Sequence, residues 1–252
     1  RLGQMDLHLI KVPEFNSSCM PLQFDKDPIT ILEPTSSSGV LDGKWLSMNN
    51  DSSADEKWCF ASAHSTGEIR IHTFQVMAAD EFRLDTDPLF DMKFIGESRP
   101  PTTGSTAPVC LSLSWDSAVA YKEPHVGSAR LVSTYSDGMV AIYDVMFSDS
   151  SAQLVEYDSW KAHAIFSTPA EVWTACFVDH NVVFSGGDEG KLKTWDIRVT
   201  SRPMQVIDSF DAGVTCVSPH PYAEHVVAVG SCTYCLLQTK RSIRLTHTQL
   251  RQ

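Results

Sequence analysis

Three stretches constrain this chain more than anything else in it: SAHSTGEIRIHTF, STYSDGMVAIYDV and SGGDEGKLKTWDI. Each places a glycine (Gly67, Gly138, Gly190) between two runs of alternating or small apolar residues. Five residues before each glycine stands a serine: Ser62, Ser133 and Ser185. Five residues after it stands a ring: His72, Tyr143 and Trp195. Alternation with a period of two, broken by a glycine turn, predicts an antiparallel hairpin. Three copies of one unit predict a repeat architecture in which each unit buries its faces against its neighbours. The glycines are 71 and 52 residues apart, more than the roughly 40–45 residues of a usual four-stranded blade. Turn-rich insertions fill the difference: EPTSSSG (33–39), MNNDSSADE (48–56) and ESRPPTTGSTAP (97–108). Gly3, in RLGQMDLHLI with His8 in the ring slot, reads as the start of an earlier copy.

The third copy carries polar side chains where a buried hairpin should be apolar. Burying Ser185, Asp188 and the indole N–H of Trp195 is costly unless they bond one another. His163, from WKAH just upstream, supplies the missing member. His163 donates to Asp188, Ser185 links to His163, and Trp195 donates to Ser185. Loss of any one should cost about 1–3 kcal/mol. This stretch resembles a WD repeat, and the four residues resemble that family's structural tetrad. Gly186-Gly187 belongs to the tight turn. The fold class expected is therefore all-β, a WD-repeat β-propeller. About four to five blades are recognisable where the family closes a ring of about seven, so the propeller is incomplete. Residues 1–231 form its blades, the first one partial.

FDAGVTCVSPHPYAEHVVAVGS (210–231) begins a further blade: a strand, a turn and a second strand. The pattern breaks near Cys232. Residues 232–252 lack an acidic residue and carry Lys240, Arg241, Arg244 and Arg251. This basic tail diverges from the repeat and reads as sequence outside the family's frame.

Composition narrows the function classes. The net charge of −11 argues against a nucleic-acid or anionic-membrane binder and for a basic or neutral protein partner. Seven scattered cysteines, an odd number, argue against a disulfide framework and for a reducing, cytoplasmic setting. No apolar run reaches the roughly 20 residues that span a bilayer. Cys232-x-x-Cys235 is a lone pair with only His247 after it, so neither metal nor cofactor is expected. No G-x-S-x-G elbow is present. In HAIFSTPAEVW (163–173) the loop enters an innermost strand at the propeller mouth, which makes Glu171 and His163 candidate catalytic residues. A carboxylate there can act as general base for ester hydrolysis by water. WDIR (195–198) resembles the box of WD-repeat receptors of cullin-type ubiquitin ligases, in which Arg198 would contact the adaptor. Trp45, Trp115, Trp160 and Trp173 are expected in the core.

SSGVLDGKW (37–45), VCLSLSWD (109–116), WKAH with EVWTACF (160–177), SGGDEGKLKTWDIR (185–198) and SPHPYAEHVVAVGS (218–231) occur in a fixed order. In that order they resemble the diphthamide-biosynthesis WD-repeat family of diphthine methyl ester hydrolases. The resemblance implies a carboxylic ester hydrolase that demethylates diphthine methyl ester on translation elongation factor 2. It implies a protein substrate and no cofactor. The alternative class is a non-catalytic interaction scaffold or ligase receptor.

Overall fold

The computed structural model describes residues 2–9, 29–47, 56–76, 90–98, 107–116, 128–148, 151–220, 223 and 226–232. Every regular element among them is a strand. β1 (Leu2–Leu9) pairs antiparallel with β2 (Ile29–Ser38). β3 (Val40–Ser47), β4 (Glu56–His64), β5 (Ile69–Val76) and β6 (Phe90–Ser98) form a four-stranded blade in sequence order. β7 (Cys110–Trp115), β8 (Ser128–Tyr135), β9 (Met139–Phe147) and β10 (Ala152–Lys161) form the second. A small hairpin of β11 (Ala164–Ile165) and β12 (Thr168–Pro169) follows. The third blade is β13 (Val172–Asp179), β14 (Val182–Gly187), β15 (Leu192–Asp196) and β16 (Gln205–Ile207). β17 (Val214–Pro219) and β18 (Val227–Ser231) are two strands of a further sheet. The architecture is all-β and propeller-like, and the described sheets do not close into a ring.

The blades are held by what lies between them. In β9 the alternation sends Met139, Ala141, Tyr143 and Val145 to one face, where they pack with Leu46, Ile71 and Leu113 of the first two blades. Val140 and Ile142 point the other way and pack with Val172, Phe177, Val183 and Trp195 of the third blade. Phe184 and Leu192 leave that blade on its far side to meet Val214 and Val217. Strands in the middle of the stack therefore bury both faces, which is why they read as near-continuous apolar runs. β3, β7, β13 and β17 lie side by side as the innermost strands.

Gly67, Gly138 and Gly190 sit in the turns between the second and third strands, with φ of 83°, 83° and 72°. This left-handed conformation is what a glycine tolerates and other residues resist. Space matters as much as φ. The Gly138 carbonyl accepts from the N–H groups of Ala162 and His163 at 2.8 and 3.2 Å. A side chain on Gly138 would strike the carbonyl of His163. At Gly190 it would meet the carbonyls of Phe210 and Ala212. Each of these two turns thus docks onto the crossover that leads into the next blade.

Three expectations are corrected. Gly3 lies inside β1, opposite Ser37, and is not a turn glycine. EPTSSSG is not a loop: β2 extends to Ser38, and only Gly39 separates it from β3. Gly186 and Gly187 end β14 rather than form the turn, and their role is close approach. A Cβ on Gly187 would occupy the ring of His163, and one on Gly186 would come 2.5 Å from Val214. MNNDSSADE up to Asp55, most of the basic tail and Cys235 lie outside the described residues. Among the described residues, no helix is long and apolar enough to cross a membrane.

Gly138→Ala should lower the unfolding free energy by about 2 kcal/mol or more, combining left-handed strain with the backbone clash. A urea midpoint equal to that of the unaltered chain would contradict this role for the turn.

Candidate functional site

The crossover HAIFSTPAE (163–171) joins the second blade to the third, and its geometry follows from one histidine. His163 is buried, its side chain fully so. Nε2 lies 2.7 Å from Ser185 Oγ, and the indole Nε1–H of Trp195 donates to the same oxygen at 2.8 Å. Burial lowers the pKa of His163 against the opposing pull of a neighbouring carboxylate, so the ring is neutral. A neutral ring offers one donor and one acceptor. With Ser185 donating to Nε2, the Nδ1–H donates outward.

The acceptor it meets is Glu189, at 3.2 Å, and not Asp188. The residue assigned to that place on sequence faces elsewhere: Asp188 Oδ1 accepts from the indole Nε1–H of Trp173 at 3.1 Å. The Glu189 side chain is 5% exposed. Its Oε1 also takes Lys193 Nζ at 2.7 Å, and its Oε2 accepts the backbone N–H of Ala164 at 2.7 Å. Lys193 Nζ donates onward to the carbonyl of Ala162 at 2.7 Å. Burial alone would raise the Glu189 pKa. The hydrogen bonds from His163 and Lys193 outweigh it and hold the carboxyl at about 2. A continuous chain Lys193–Glu189–His163–Ser185–Trp195 results, with every polar atom satisfied.

The other copies fill the serine slot differently. Ser62 Oγ lies 2.9 Å from Nε2 of His64, whose Nδ1 is 3.0 Å from Ser38 Oγ. In the second blade, Ser133 Oγ donates to the carbonyl of Ala141 at 3.4 Å and also bonds Tyr135, whose hydroxyl pairs with that of Tyr143 at 3.0 Å.

His163 therefore has no ring nitrogen open to a substrate, and its buried position removes it from the candidate bases. Glu171 differs. It is partly exposed at the start of β13, and its backbone carbonyl accepts the N–H of Asp188 at 2.9 Å. Its carboxylate has no hydrogen-bond or ion-pair partner among the described residues. Two residues on, Trp173 is 38% exposed, contrary to the core role expected of it. Trp45 is likewise exposed, against Phe60 with ring centroids 4.7 Å apart, whereas Trp115 and Trp160 are buried.

Trp173 lines a groove of about 290 Å³ between the innermost strands. Asp42, Lys44, Ser112, Cys176 and Thr215 also face it. Asp42 explains LDGKW: its carboxylate accepts the Leu113 N–H at 2.9 Å and the Ser112 hydroxyl at 3.1 Å, and pairs with Lys44 at 3.0 Å. Trp115 Nε1 donates to the Lys44 carbonyl at 3.1 Å, a second latch between β3 and β7. At the other end of the inner strands, His180 Nδ1 lies 3.3 Å from the buried carboxylate of Asp116. The His180 side chain is 35% exposed, and its Nε2 has no partner among the described residues. A carboxylate that orients an imidazole in this way leaves a competent proton acceptor. Sequence reading missed this pair because its members are 64 residues apart and no local motif joins them. Arg198 folds back in a fork onto Asp196, at 2.9 and 2.6 Å, with about half of its side chain exposed.

No family model matches the chain. It is homologous to proteins named diphthine methyltransferase. Identity is 27% over 212 residues with the homolog from Dictyostelium discoideum, covering 79% of this chain and 48% of that protein. It is 27% over 252 residues with the Mus musculus protein, covering 97% and 45%. It is 32% over 124 residues with the Homo sapiens protein, covering 48% and 26%. The chain thus spans about half the length, or less, of these relatives. Among solved structures, a chain in the crystal structure of the mitotic checkpoint complex superposes with a TM-score of 0.50 at 18% identity. That match covers 81% of this chain and 48% of that one, and it is a likeness of fold alone.

Glu189→Gln should destabilise the fold by about 2 kcal/mol or more, because it removes a buried charge that His163 and Lys193 depend on. Asp188→Asn should cost less. Two groups of this network contribute to the acid limb, beside the depressed His64, His72 and Asp196 elsewhere. His163 is depressed below its ordinary 6.5, so stability falls as pH drops below that value and the unfolded chain takes up the proton. Glu189 is depressed from 4.5 to about 2, so its contribution is present above 4.5 and lost as pH falls toward 2. Unfolding midpoints against pH should fall through both ranges, with the lower fall reduced in Glu189→Gln.

Proposed function

We propose that the chain acts in diphthamide biosynthesis as a carboxylic ester hydrolase, removing the methyl group from diphthine methyl ester on translation elongation factor 2. The observation that carries this reading is its homology, over 79% and 97% of the chain, to proteins named diphthine methyltransferase. Hydrolysis rather than methyl transfer follows the family resemblance carried by LDGKW, KAH and EVW in the sequence. The groove between the inner strands, with a carboxylate and an indole at its mouth, suits an ester held at the surface of a larger protein.

In this reading water attacks the ester carbonyl carbon while a base takes one of its protons. The tetrahedral intermediate collapses, the carbon–methoxy bond breaks, and the leaving oxygen takes the proton to give methanol and a carboxylate. Backbone N–H groups at the mouth are the available donors to the oxyanion. Glu171, two residues before the groove-lining Trp173, is the base assigned. His180, oriented by Asp116 at the opposite end of the inner strands, is the competing base.

The test is demethylation of methyl-esterified elongation factor 2, followed on the modified peptide by mass spectrometry. Glu171→Gln should lower kcat by about 10²-fold or more, the usual worth of a general base. Full activity in Glu171→Gln with loss in His180→Ala would move the base to the Asp116 end. No demethylation by the unaltered chain or by a version extended to a full ring would reject the esterase reading in favour of an interaction module.

A further inference from the structure

The loop that carries Glu171 also carries a side chain the fold does not use. β11 and β12 pair Ala164 with Pro169 and Ile165 with Thr168, leaving Phe166 and Ser167 as a two-residue turn. Phe166 is fully exposed, and Ile165 beside it is 44% exposed. Phe166 has φ of 55°, and it is the one non-glycine residue with positive φ among the described residues. Positive φ at only the first central position is the pattern of a type II′ turn, whose usual occupant is glycine. A bulky aromatic there is both strained and solvated, and neither condition benefits the folded chain.

The hairpin is nevertheless rigidly based. Ala164 N–H is held by buried Glu189 at 2.7 Å, and Ala170 N–H donates to the His163 carbonyl at 3.3 Å. The tip is thus an apolar projection on a fixed mount. The turns of the second and third blades, with Asp137 and Asp188, lie at this same end of the sheets, as does Glu171. With a net charge of −11 on the whole chain, this end presents carboxylates around one aromatic tip.

We propose that Phe166 is the docking residue for the protein that bears the substrate ester, inserting into an apolar pocket rimmed by basic side chains on that protein. An aromatic anchor in a pocket supplies affinity, and the surrounding carboxylates supply orientation and association rate. The hairpin thereby selects an ester on a folded protein over the same ester on a peptide. This inference rests on the esterase reading for its kinetic test, and a binding measurement separates the two.

Hydrolysis would be measured on intact methyl-esterified elongation factor 2 and on a short peptide cut from around the modified histidine. Phe166→Ala should raise KM on the intact protein by about tenfold or more, with kcat unchanged and the peptide unaffected. Phe166→Leu should recover part of the loss. Phe166→Gly should lose docking equally while resisting urea at least as well as the unaltered chain, because the turn strain is gone. An unchanged KM on the intact protein, or an equal loss on the peptide, would overturn the proposal. Should no chain hydrolyse either substrate, binding of unmodified elongation factor 2 decides. Weaker binding by Phe166→Ala sustains docking without the esterase reading, whereas equal binding, or none, ends it.

Discussion

A single buried carboxylate organises the best-defined part of this molecule. Glu189 sits in the turn of the third blade, and its three partners lie on two segments: the imidazole of His163 and the backbone of Ala164 in the crossover, and the ammonium of Lys193 in β15. It fixes the histidine tautomer, which in turn fixes the Ser185 hydroxyl and the Trp195 indole. It anchors the base of the Phe166 hairpin. A lone buried charge is unfavourable, so the network holds together or not at all.

Around that hub, the energetics belong to interfaces rather than to sheets. No blade has a core of its own. Ile142 and Tyr143 are neighbours along β9 and close different cores. The polar latches follow the same logic, with Asp42 of the first blade completing the backbone bonds of Leu113 in the second. Stability in such a stack is a sum of neighbour terms.

Most of the fold was legible in the sequence because its signals are local. Glycine turns, period-two strands and the five-residue offsets to a serine and a ring all sit within one hairpin. What failed was local in the wrong way. EPTSSSG has turn composition, but its serines are carried in β2 by pairing with β1, a partner sequence reading could not see. Asp188 and Glu189 are adjacent carboxylates in one turn, and spacing cannot decide which points inward. That choice is made by the packing of His163 against Gly187. Asp116 and His180 meet only because two inner strands lie side by side. Glu171 and Phe166 were on view as a loop, but the exposure of one and the backbone angle of the other belong to the folded chain.

The turn glycines have one more implication, for how neighbouring repeats are coupled. Gly138 closes its hairpin but also accepts the backbone of residues 162 and 163, so the second blade completes its hydrogen bonding only when the next crossover arrives. Gly190 stands in the same relation to the segment that leads into β17. The turn of each of these repeats is therefore completed by the crossover to its successor, which couples neighbouring repeats. In such an array amide protection is shared across junctions. A lesion in one turn loosens both the blade that owns it and the crossover docked on it.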